Sequence, residues 1–263
     1  MAKEPDNEIL KRSDTDGIAE LTLDRAEARN ALSTALMDRL QTELDRIRDD
    51  KNVHVVVIAA NGPSFCSGHD LRELRAMPTH KTYERLFAQC SRLMLSITRL
   101  PQPVIAKVHA TATAAGCQLV ASCDLAVAAD TAEFATPGVN IGLFCSTPMV
   151  AVSRNIGRKK TMEMLLTGTS VTAKTAEMIG LINTVCAKKE LDNVVNQLCA
   201  AITSKSPLTI KIGKEAFYRQ LEMPIEEAYA YTSEVMVKNM MARDAQEGID
   251  AFLEKRPPEW GND

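Results

Sequence analysis

Hydrophobic and polar positions alternate with a period of two in some stretches of the chain and with the helical period in others. The segment GIAELTLDR (17–25) alternates, which predicts a strand, and HVVVIAANG (54–62) is almost continuously apolar, which predicts a buried one. Shorter β-branched runs at 103–110, 125–130 and 181–185 predict further strands between helical segments. This alternation predicts an α/β fold with a largely parallel sheet.

Helical periodicity follows residues that can cap a helix. Ser33 precedes an apolar stripe formed by Leu36, Met37, Leu40, Leu44 and Ile47. A second long helix is predicted from about Thr79 to Leu100, with one face formed by Leu86, Phe87, Cys90, Leu93, Met94 and Ile97. From Thr172 onwards the pattern is mostly helical, and we expect its methionines to serve core or subunit packing: Met223, Met236, Met240 and Met241.

Composition adds limits on function. A net charge of −3 and 45% hydrophobic residues are typical of an ordinary globular domain, and the absence of a basic stripe argues against nucleic acid as a partner. Seven cysteines without a C-x-x-C pair predict reduced thiols, and four scattered histidines predict no metal site. No apolar run could span a membrane, and residues 1–10 do not resemble a targeting segment. We therefore expect a location in the cytoplasm of a bacterium, or in the mitochondrial matrix if a presequence was removed.

Several common catalytic motifs are missing from the chain. It has no G-x-G-x-x-G after a strand, no G-x-x-x-x-G-K-[ST], no H-E-x-x-H and no G-x-S-x-G. Dinucleotide-binding, P-loop, zinc protease and α/β-hydrolase functions therefore lose their main sequence support.

Two strand-to-helix turns carry the strongest chemical signal. FCSGHDLREL (65–74) follows a buried strand, and Gly68 and a capping Asp70 would leave the backbone N–H of His69 exposed. AAGCQLVAS (114–122) follows the next predicted strand, and its first residues are small enough for a ligand to approach a helix N-terminus. Close helix–sheet packing explains either segment alone. Together they predict two N–H donors, from His69 and Ala115, directed at one oxygen.

In this order, and about 45 residues apart, these segments resemble those of the crotonase (enoyl-CoA hydratase/isomerase) superfamily. DRAEARNALS (24–33) is similar to the adenine-binding turn of that family, and MEMLLTG, AEMIGLINTV and EGIDAFLEKRPPEW are similar to its later segments. The resemblance implies a crotonase-like ββα spiral core over residues 1–200 and a helical trimerisation region over 201–263. It also implies trimers or hexamers, an acyl-CoA substrate, and no cofactor other than the coenzyme A of that substrate.

The resemblance assigns expected roles residue by residue. The N–H groups of His69 and Ala115 would form an oxyanion hole for the thioester carbonyl. The backbone of Ala28 would contact the adenine, and Ser67, Asp70 and Leu71 would line the coenzyme A channel. Gly116 and Gly138 would also belong to the substrate-binding site. Phe252 and Lys255 would reach the coenzyme A of a neighbouring subunit.

The chain departs from the family where hydratases have two catalytic glutamates. Those positions are Gln118 and Gly138, and neither residue can transfer a proton near neutral pH. Each general acid–base group contributes ~10²–10⁴ in rate, so both losses amount to on the order of 5–11 kcal/mol. Ser146 replaces the aspartate of related isomerases and dehalogenases, and the other polar candidates near the thioester are Asn140 and Cys145.

Three functions therefore remain open from the sequence. GCQLVASCD, ATPGVN and GLFCSTP resemble the enoyl-CoA hydratase domain-containing mitochondrial group, which lacks both glutamates. The first hypothesis is a hydratase/isomerase-like enzyme in which Gln118 positions a water molecule or a carbonyl group. The second is a malonyl-CoA-type decarboxylase, which needs an oxyanion hole but no base at the α carbon. The third is a non-catalytic acyl-CoA-binding protein.

Overall fold

A computed structural model describes residues 9–261 of the chain. Residues 1–8, which carry most of the targeting prediction, and residues 262–263 lie outside this range. The strands are β1 (Leu10–Thr15), β2 (Ile18–Leu23), β3 (Val55–Ala60), β4 (Val104–Val108), β5 (Ala112–Thr113), β6 (Leu125–Ala129), β7 (Glu133–Ala135), β8 (Val171–Thr172) and β9 (Thr184–Cys186). The helices are α1 (Thr34–Arg48), α2 (Leu71–Ala76), α3 (His80–Arg99), α4 (Ala115–Ser122), α5 (Pro148–Asn155), α6 (Arg158–Thr167), α7 (Ala173–Met178), α8 (Leu191–Thr203), α9 (Pro207–Gln220), α10 (Ile225–Met240) and α11 (Arg243–Glu254).

The predicted α/β fold with a largely parallel sheet is confirmed. Six strands form one sheet in the order β1-β2-β3-β4-β6-β9, in which β1 and β2 are antiparallel and the other neighbours are parallel. A small second sheet pairs β5, β7 and β8. The sequence did not predict β1 or the small sheet, because β1 is mostly polar and exposed and the strands of the small sheet have two or three residues each.

Both faces of the main sheet are covered. Along β3, Val56 and Ile58 belong to the large core, whereas Val55 and Val57 contact the smaller core formed with α8. Successive side chains of a strand point to opposite faces, so the continuous apolar run at 54–62 reflects burial on both sides.

The predicted helix caps at Ser33, Asp70 and Thr172 are confirmed. Their side chains accept hydrogen bonds from N–H groups in the first turns of α1, α2 and α7. Thr79 caps α3 in the same way, although the sequence predicted only that a helix begins near it. The predicted strand at 181–185 is mostly wrong, because β9 begins only at Thr184 and the buried side chains of Leu181 and Ile182 lie in the preceding turn.

Asp124 attaches the C-terminal helices to the sheet. Its carboxylate accepts hydrogen bonds from the backbone N–H of Val104 at 2.6 Å, from Lys214 Nζ at 2.6 Å and from the Tyr218 hydroxyl at 2.9 Å. Lys214 also donates to the backbone carbonyls of Ile97 and Gln102. Because Lys214 and Tyr218 lie on α9, this network anchors the first helix after α8 to the core.

Candidate active site

A cavity of about 1400 Å³ lies where β3 and β4 end. These strands are parallel neighbours, so the turns that follow them meet at one edge of the sheet, where α/β proteins commonly bind ligands. Ten of the fourteen residues proposed from the sequence line this cavity: Ala28, Ser67, His69, Asp70, Leu71, Ala115, Gly138, Asn140, Cys145 and Ser146. Gly116, Gln118, Phe252 and Lys255 are not among its lining residues.

The two predicted turns are hydrogen-bonded to each other. The N–H of Phe65 donates to Thr111 O at 3.0 Å, and the N–H of Thr113 donates to Cys66 O at 2.9 Å. The Thr113 hydroxyl also donates to Ser67 O at 3.2 Å. These bonds join residues about 46 positions apart in the chain and fix the relative position of the two turns.

The turn at 24–33 is paired with the turn at 65–74. Leu32 N–H donates to Gly68 O at 2.7 Å, and Asp70 N–H donates to Leu32 O at 3.3 Å. In such a parallel bridge, Leu32 uses the peptide groups on both sides of His69, so the N–H of His69 itself points away from Leu32. Within the described residues no backbone hydrogen bond from this N–H is recorded, so it remains a free donor beside the cavity.

The second donor lies at the start of α4. Ala114 precedes this helix with φ 50° and ψ −118°, a conformation that is strained for an alanine. Hydrogen bonds from Ala114 N–H to Ala135 O and from Gln118 N–H to Ala114 O hold it there. Ala115 is the first residue of α4, so its N–H has no acceptor within the helix.

Gly68 allows the two turns to touch. It has φ +99°, and a Cβ atom at this position would lie 2.9 Å from Ala114 Cβ and 3.4 Å from Ala115 N. A larger residue would separate the turns that carry the two proposed donors.

Gly116 has a different role from the one that the resemblance implied. A Cβ atom there would overlap the backbone carbonyl of Cys66, so the small residue allows α4 to pack against residue 66. Gly116 is fully buried and does not line the cavity. Close packing, the alternative explanation of the small residues, accounts for this glycine.

Gln118 is buried and is not among the residues that line the cavity. The residue is only 4% exposed, and its Oε1 has no hydrogen-bond partner among the described residues. The buried hydroxyl of Thr136, which precedes the Pro137–Gly138 turn, also has no partner in the described part of the chain.

Gly138 is enclosed by its neighbours. A Cβ atom there would lie 2.6 Å from Leu143 O and 2.9 Å from Cys145 Sγ. A glutamate could therefore not occupy this position unless the loop at 143–145 moved. Burial raises the pKa of the Cys145 thiol, although a hydrogen bond from the Gly138 backbone opposes this effect, so Cys145 is not activated as a nucleophile.

The pKa values of the adjacent residues Asp70 and His69 are both lowered, but for different reasons. Burial acts to raise the pKa of Asp70, but hydrogen bonds from Arg25 and from the first turn of α2 hold it below the usual value. Burial lowers the pKa of His69 to about 4, with a smaller opposing effect from Glu73. The imidazole is therefore neutral at physiological pH.

Sequence reasoning missed Phe87 as a cavity residue. It was assigned to the apolar face of α3, but it is 39% exposed, lines the cavity and contacts the His69 ring edge-on. Phe87 lies three residues before Cys90 and seven before Met94, so its helical spacing places it at the edge of the same apolar stripe. No signal in the sequence separated it from the core residues of that face.

Phe252 and Lys255 lie on the C-terminal surface. Phe252 is 82% exposed near the end of α11, and Lys255 follows the helix in a left-handed conformation. Their position outside the cavity of this chain is compatible with contacts to another subunit.

Two further properties concern the described residues 9–261. No helix in this range is long and apolar enough to cross a membrane. No group of three or more His, Cys, Asp or Glu side chains in this range could hold a metal ion.

Known proteins resemble this chain over nearly its whole length. The sequence profile of the enoyl-CoA hydratase/isomerase family matches residues 13–263. Human enoyl-CoA hydratase domain-containing protein 3, mitochondrial, is 46% identical over 248 residues, which cover 94% of this chain and 82% of that protein. The crystal structure of an enoyl-CoA hydratase from Mycobacterium smegmatis has a TM-score of 0.95 and 52% identity, covering 98% of this chain and 99% of its own. The 2,3-dehydroadipyl-CoA hydratase of Escherichia coli is 31% identical over 241 residues, covering 91% of this chain and 93% of that protein.

Proposed function

The chain belongs to the enoyl-CoA hydratase/isomerase family, and we propose on that premise that its cavity binds a fatty-acyl-CoA thioester and stabilises the enolate of that ester. The observation that carries this proposal is the contact between the turns at Gly68 and Ala114, which brings two unused backbone donors to one cavity. The size of the cavity is compatible with a ligand larger than most small molecules.

The proposed chemistry is electrostatic. The thioester oxygen would accept hydrogen bonds from the N–H groups of His69 and Ala115, and the N-terminal dipole of α4 would favour the negative charge that develops there. Each such donor is worth ~3–4 kcal/mol in the transition state of related reactions. Asn140, Cys145 and Ser146 would face the acyl part, while Ala28, Ser67, Asp70 and Leu71 would line the path of coenzyme A.

Hydration by two glutamates is not part of this proposal. Gln118 carries a neutral amide and Gly138 has no space for a side chain, so neither position supplies an acid or a base. A reaction at this site would depend mainly on the oxyanion hole. Gln118 would position a water molecule or a carbonyl group through its amide.

The proposal also includes self-association. Residues 201–263 would form the oligomerisation region of a trimer or hexamer, in which Phe252 and Lys255 reach the ligand of a neighbour. The relative from human is named mitochondrial, so a matrix location is one expectation for this chain, with the bacterial cytoplasm as the other. No cofactor other than the coenzyme A of the substrate is proposed.

Product analysis tests the function. The purified protein is incubated with crotonyl-CoA, a longer enoyl-CoA and methylmalonyl-CoA, and the products are followed by mass. Hydroxyacyl-CoA formation that depends on Gln118 would support a hydratase-like reaction, whereas loss of CO₂ would support decarboxylation. Binding without turnover would support an acyl-CoA-binding protein, and failure of every ester to raise the melting temperature would contradict the proposal.

A proline at position 115 tests the second donor. Ala115 is the first residue of α4, where a helix tolerates proline, and the substitution removes its N–H. We expect Ala115→Pro to bind the thioester more weakly and to lose any turnover while remaining folded by circular dichroism. A folded Ala115→Pro protein with unchanged activity would contradict the assignment.

A further inference from the structure

Arg25 and Asp70 form an ion pair in the wall of the cavity. Arg25 Nη1 donates a hydrogen bond to Asp70 Oδ2 at 2.8 Å, and the two side chains are only 14% and 12% exposed. The same nitrogen donates to the backbone carbonyl of Ala31 at 3.2 Å. A buried, charge-assisted hydrogen bond holds both of its side chains in a defined geometry. The pair therefore joins the turn at 24–33 to the turn at 65–74.

The carboxylate of Asp70 is held through both of its oxygen atoms. Oδ1 accepts hydrogen bonds from the backbone N–H groups of Arg72 at 3.0 Å and of Glu73 at 3.3 Å, in the first turn of α2. Oδ2 accepts the hydrogen bond from Arg25. Because the two oxygens have separate donors, the helix cap and the ion pair do not compete. Asp70 is thus fixed between α2 and the turn at 24–33.

The residue before Asp70 is His69, whose N–H is one of the two proposed donors. The backbone hydrogen bonds on its two sides are unequal in length. Leu32 N–H donates to Gly68 O at 2.7 Å, whereas Asp70 N–H donates to Leu32 O at 3.3 Å. The second bond lies beyond the usual range of N–H···O distances, which ends at about 3.2 Å. The ion pair with Arg25 acts on this weaker side and adds a restraint there.

Arg25 is itself anchored by a fully buried asparagine. The backbone N–H of Arg25 donates to Asn30 Oδ1 at 2.8 Å. Asn30 Nδ2 donates to the carbonyls of Asn61 at 2.7 Å and of Ser64 at 2.8 Å. Asn30 has a φ of 52°, a left-handed conformation that asparagine adopts more readily than most residues. The guanidinium therefore extends from a backbone that is tied to the segment leading into the turn at 65–74.

Alignment decides how much a backbone donor contributes to an oxyanion hole. Hydrogen bonds weaken steeply as the angle at the hydrogen atom departs from linearity. Supporting groups must hold a functional donor within about 0.5 Å and 10–20° of its productive geometry, and donors in loops need more of this support than donors in helices or strands. His69 lies in a turn before α2, so its N–H depends on such support.

We propose that Arg25 is a positioning residue of the thioester site: through Asp70 it holds the peptide group of His69 so that the N–H points at the thioester oxygen. This role requires no contact between Arg25 and the thioester. The inference rests on the proposed function, because the alignment matters only when a thioester oxygen is bound.

Nitrogen-15 labelling of histidine in the full-length protein tests this role. The chain has four histidines, so the spectrum contains few backbone amide signals, and the one that is missing from His69→Gln belongs to His69. A hydrogen bond to the thioester oxygen should move the His69 amide proton downfield when hexanoyl-CoA is added to saturation. We expect Arg25→Gln, saturated with the same ester, to lose most of this downfield shift. Saturation removes any difference in affinity from the comparison.

Three further variants separate positioning from general damage. Asp70→Asn keeps an equally good helix cap but has one acceptor oxygen instead of two, so it should lose the shift as Arg25→Gln does. Arg25→Lys retains a cation for Asp70 and should recover part of the shift. Lys107→Gln breaks an ion pair of similar burial on β4, outside the cavity, and should keep the full shift.

Different outcomes overturn different statements. If wild type shows the shift and folded Arg25→Gln or Asp70→Asn shows it in full, the inference alone is overturned. Loss of the shift in Lys107→Gln would also overturn it, because any broken ion pair would then have the same effect. If the His69 signal of folded wild type does not respond to saturating ester, or if no ester binds, the proposed function fails and the inference with it.

Discussion

Gly138 and Gln118 stand where the family resemblance implies two catalytic glutamates in hydratases, and their surroundings differ. Gly138 faces the cavity but is closed in by Leu143 O and Cys145 Sγ, whereas Gln118 is buried with an unpaired Oε1. The sequence predicts that neither residue transfers a proton. It could not predict the enclosure, because the atoms responsible come from a loop whose path depends on tertiary packing.

The enclosure of Gly138 predicts a stability cost for any side chain there. We expect Gly138→Ala to lower the free energy of unfolding by about 1–3 kcal/mol, because the added methyl group overpacks the loop. Gly213→Ala is the matched control: it lies within α9 with no atom near its Cβ position, so it should raise stability by about 0.5–1 kcal/mol. Urea denaturation measures the free energy of unfolding of both variants and of wild type. Equal stability of Gly138→Ala and wild type would show that the loop yields freely.

The half-buried imidazole of His69 predicts a pH dependence of stability. Its pKa is about 4 in the folded protein against 6.5 ordinarily, so between these values the unfolded chain binds a proton that the folded chain does not. Stability should therefore fall as the pH is lowered through this window, by about 2–3 kcal/mol from this group. Subtracting the stability–pH profile of His69→Gln from that of wild type isolates the contribution of the imidazole. Parallel profiles of the two proteins would contradict the lowered pKa of His69 in the folded state.

At the scale of helices and strands, the sequence predicted features that depend on neighbouring residues. It did not predict contacts between segments that are distant in the chain. The caps at Ser33, Asp70 and Thr172 depend on residues two or three positions away, and all three were predicted. The sequence analysis predicted that Gly116 lets a ligand approach the start of α4. Its close contact with the carbonyl of Cys66 cannot be seen in a one-dimensional pattern. The two turns were predicted to meet because they follow strands of one parallel sheet, but their pairing through Thr111 and Thr113 was not predictable.

The attachment of α9 through Asp124 predicts a large effect of a single substitution. Asp124→Ala leaves Lys214 buried without its carboxylate, which we expect to cost about 3–5 kcal/mol. Glu222→Ala, which breaks an exposed ion pair with Arg154, should cost less than about 1 kcal/mol. Thermal unfolding of Asp124→Ala, Glu222→Ala and wild type compares the two losses of stability. Similar small shifts would show that α9 is held by other contacts.

The C-terminal helices give the whole molecule an apolar surface. Phe252 is 82% exposed, Leu253 71%, Ile225 72% and Met241 73%, and this many exposed large apolar side chains favour an interface in this region. α8 packs on the sheet and ends at Thr203, so the proposed oligomerisation region would begin with α9. The sequence predicted methionines for core or subunit packing, and the exposure of Met236, Met240 and Met241 favours the subunit role.

Light scattering coupled to size exclusion tests this assembly. We expect wild type to elute as a trimer or hexamer, and the double variant Phe252→Glu/Leu253→Glu to dissociate at low concentration. Asp250→Asn, a change at an exposed polar position of the same helix, should leave the mass unchanged. A monomeric wild type at micromolar concentration would contradict the proposed assembly.

The central claim is that the backbone N–H groups of His69 and Ala115 hold one thioester oxygen. Infrared difference spectroscopy of hexanoyl-CoA labelled with carbon-13 at its carbonyl observes that oxygen directly. Two aligned donors and the N-terminus of α4 should polarise the carbonyl, so its stretching frequency should be lower when bound than in water, and the shift should diminish in Ala115→Pro. A bound ester that vibrates at the frequency of the free one would contradict the claim.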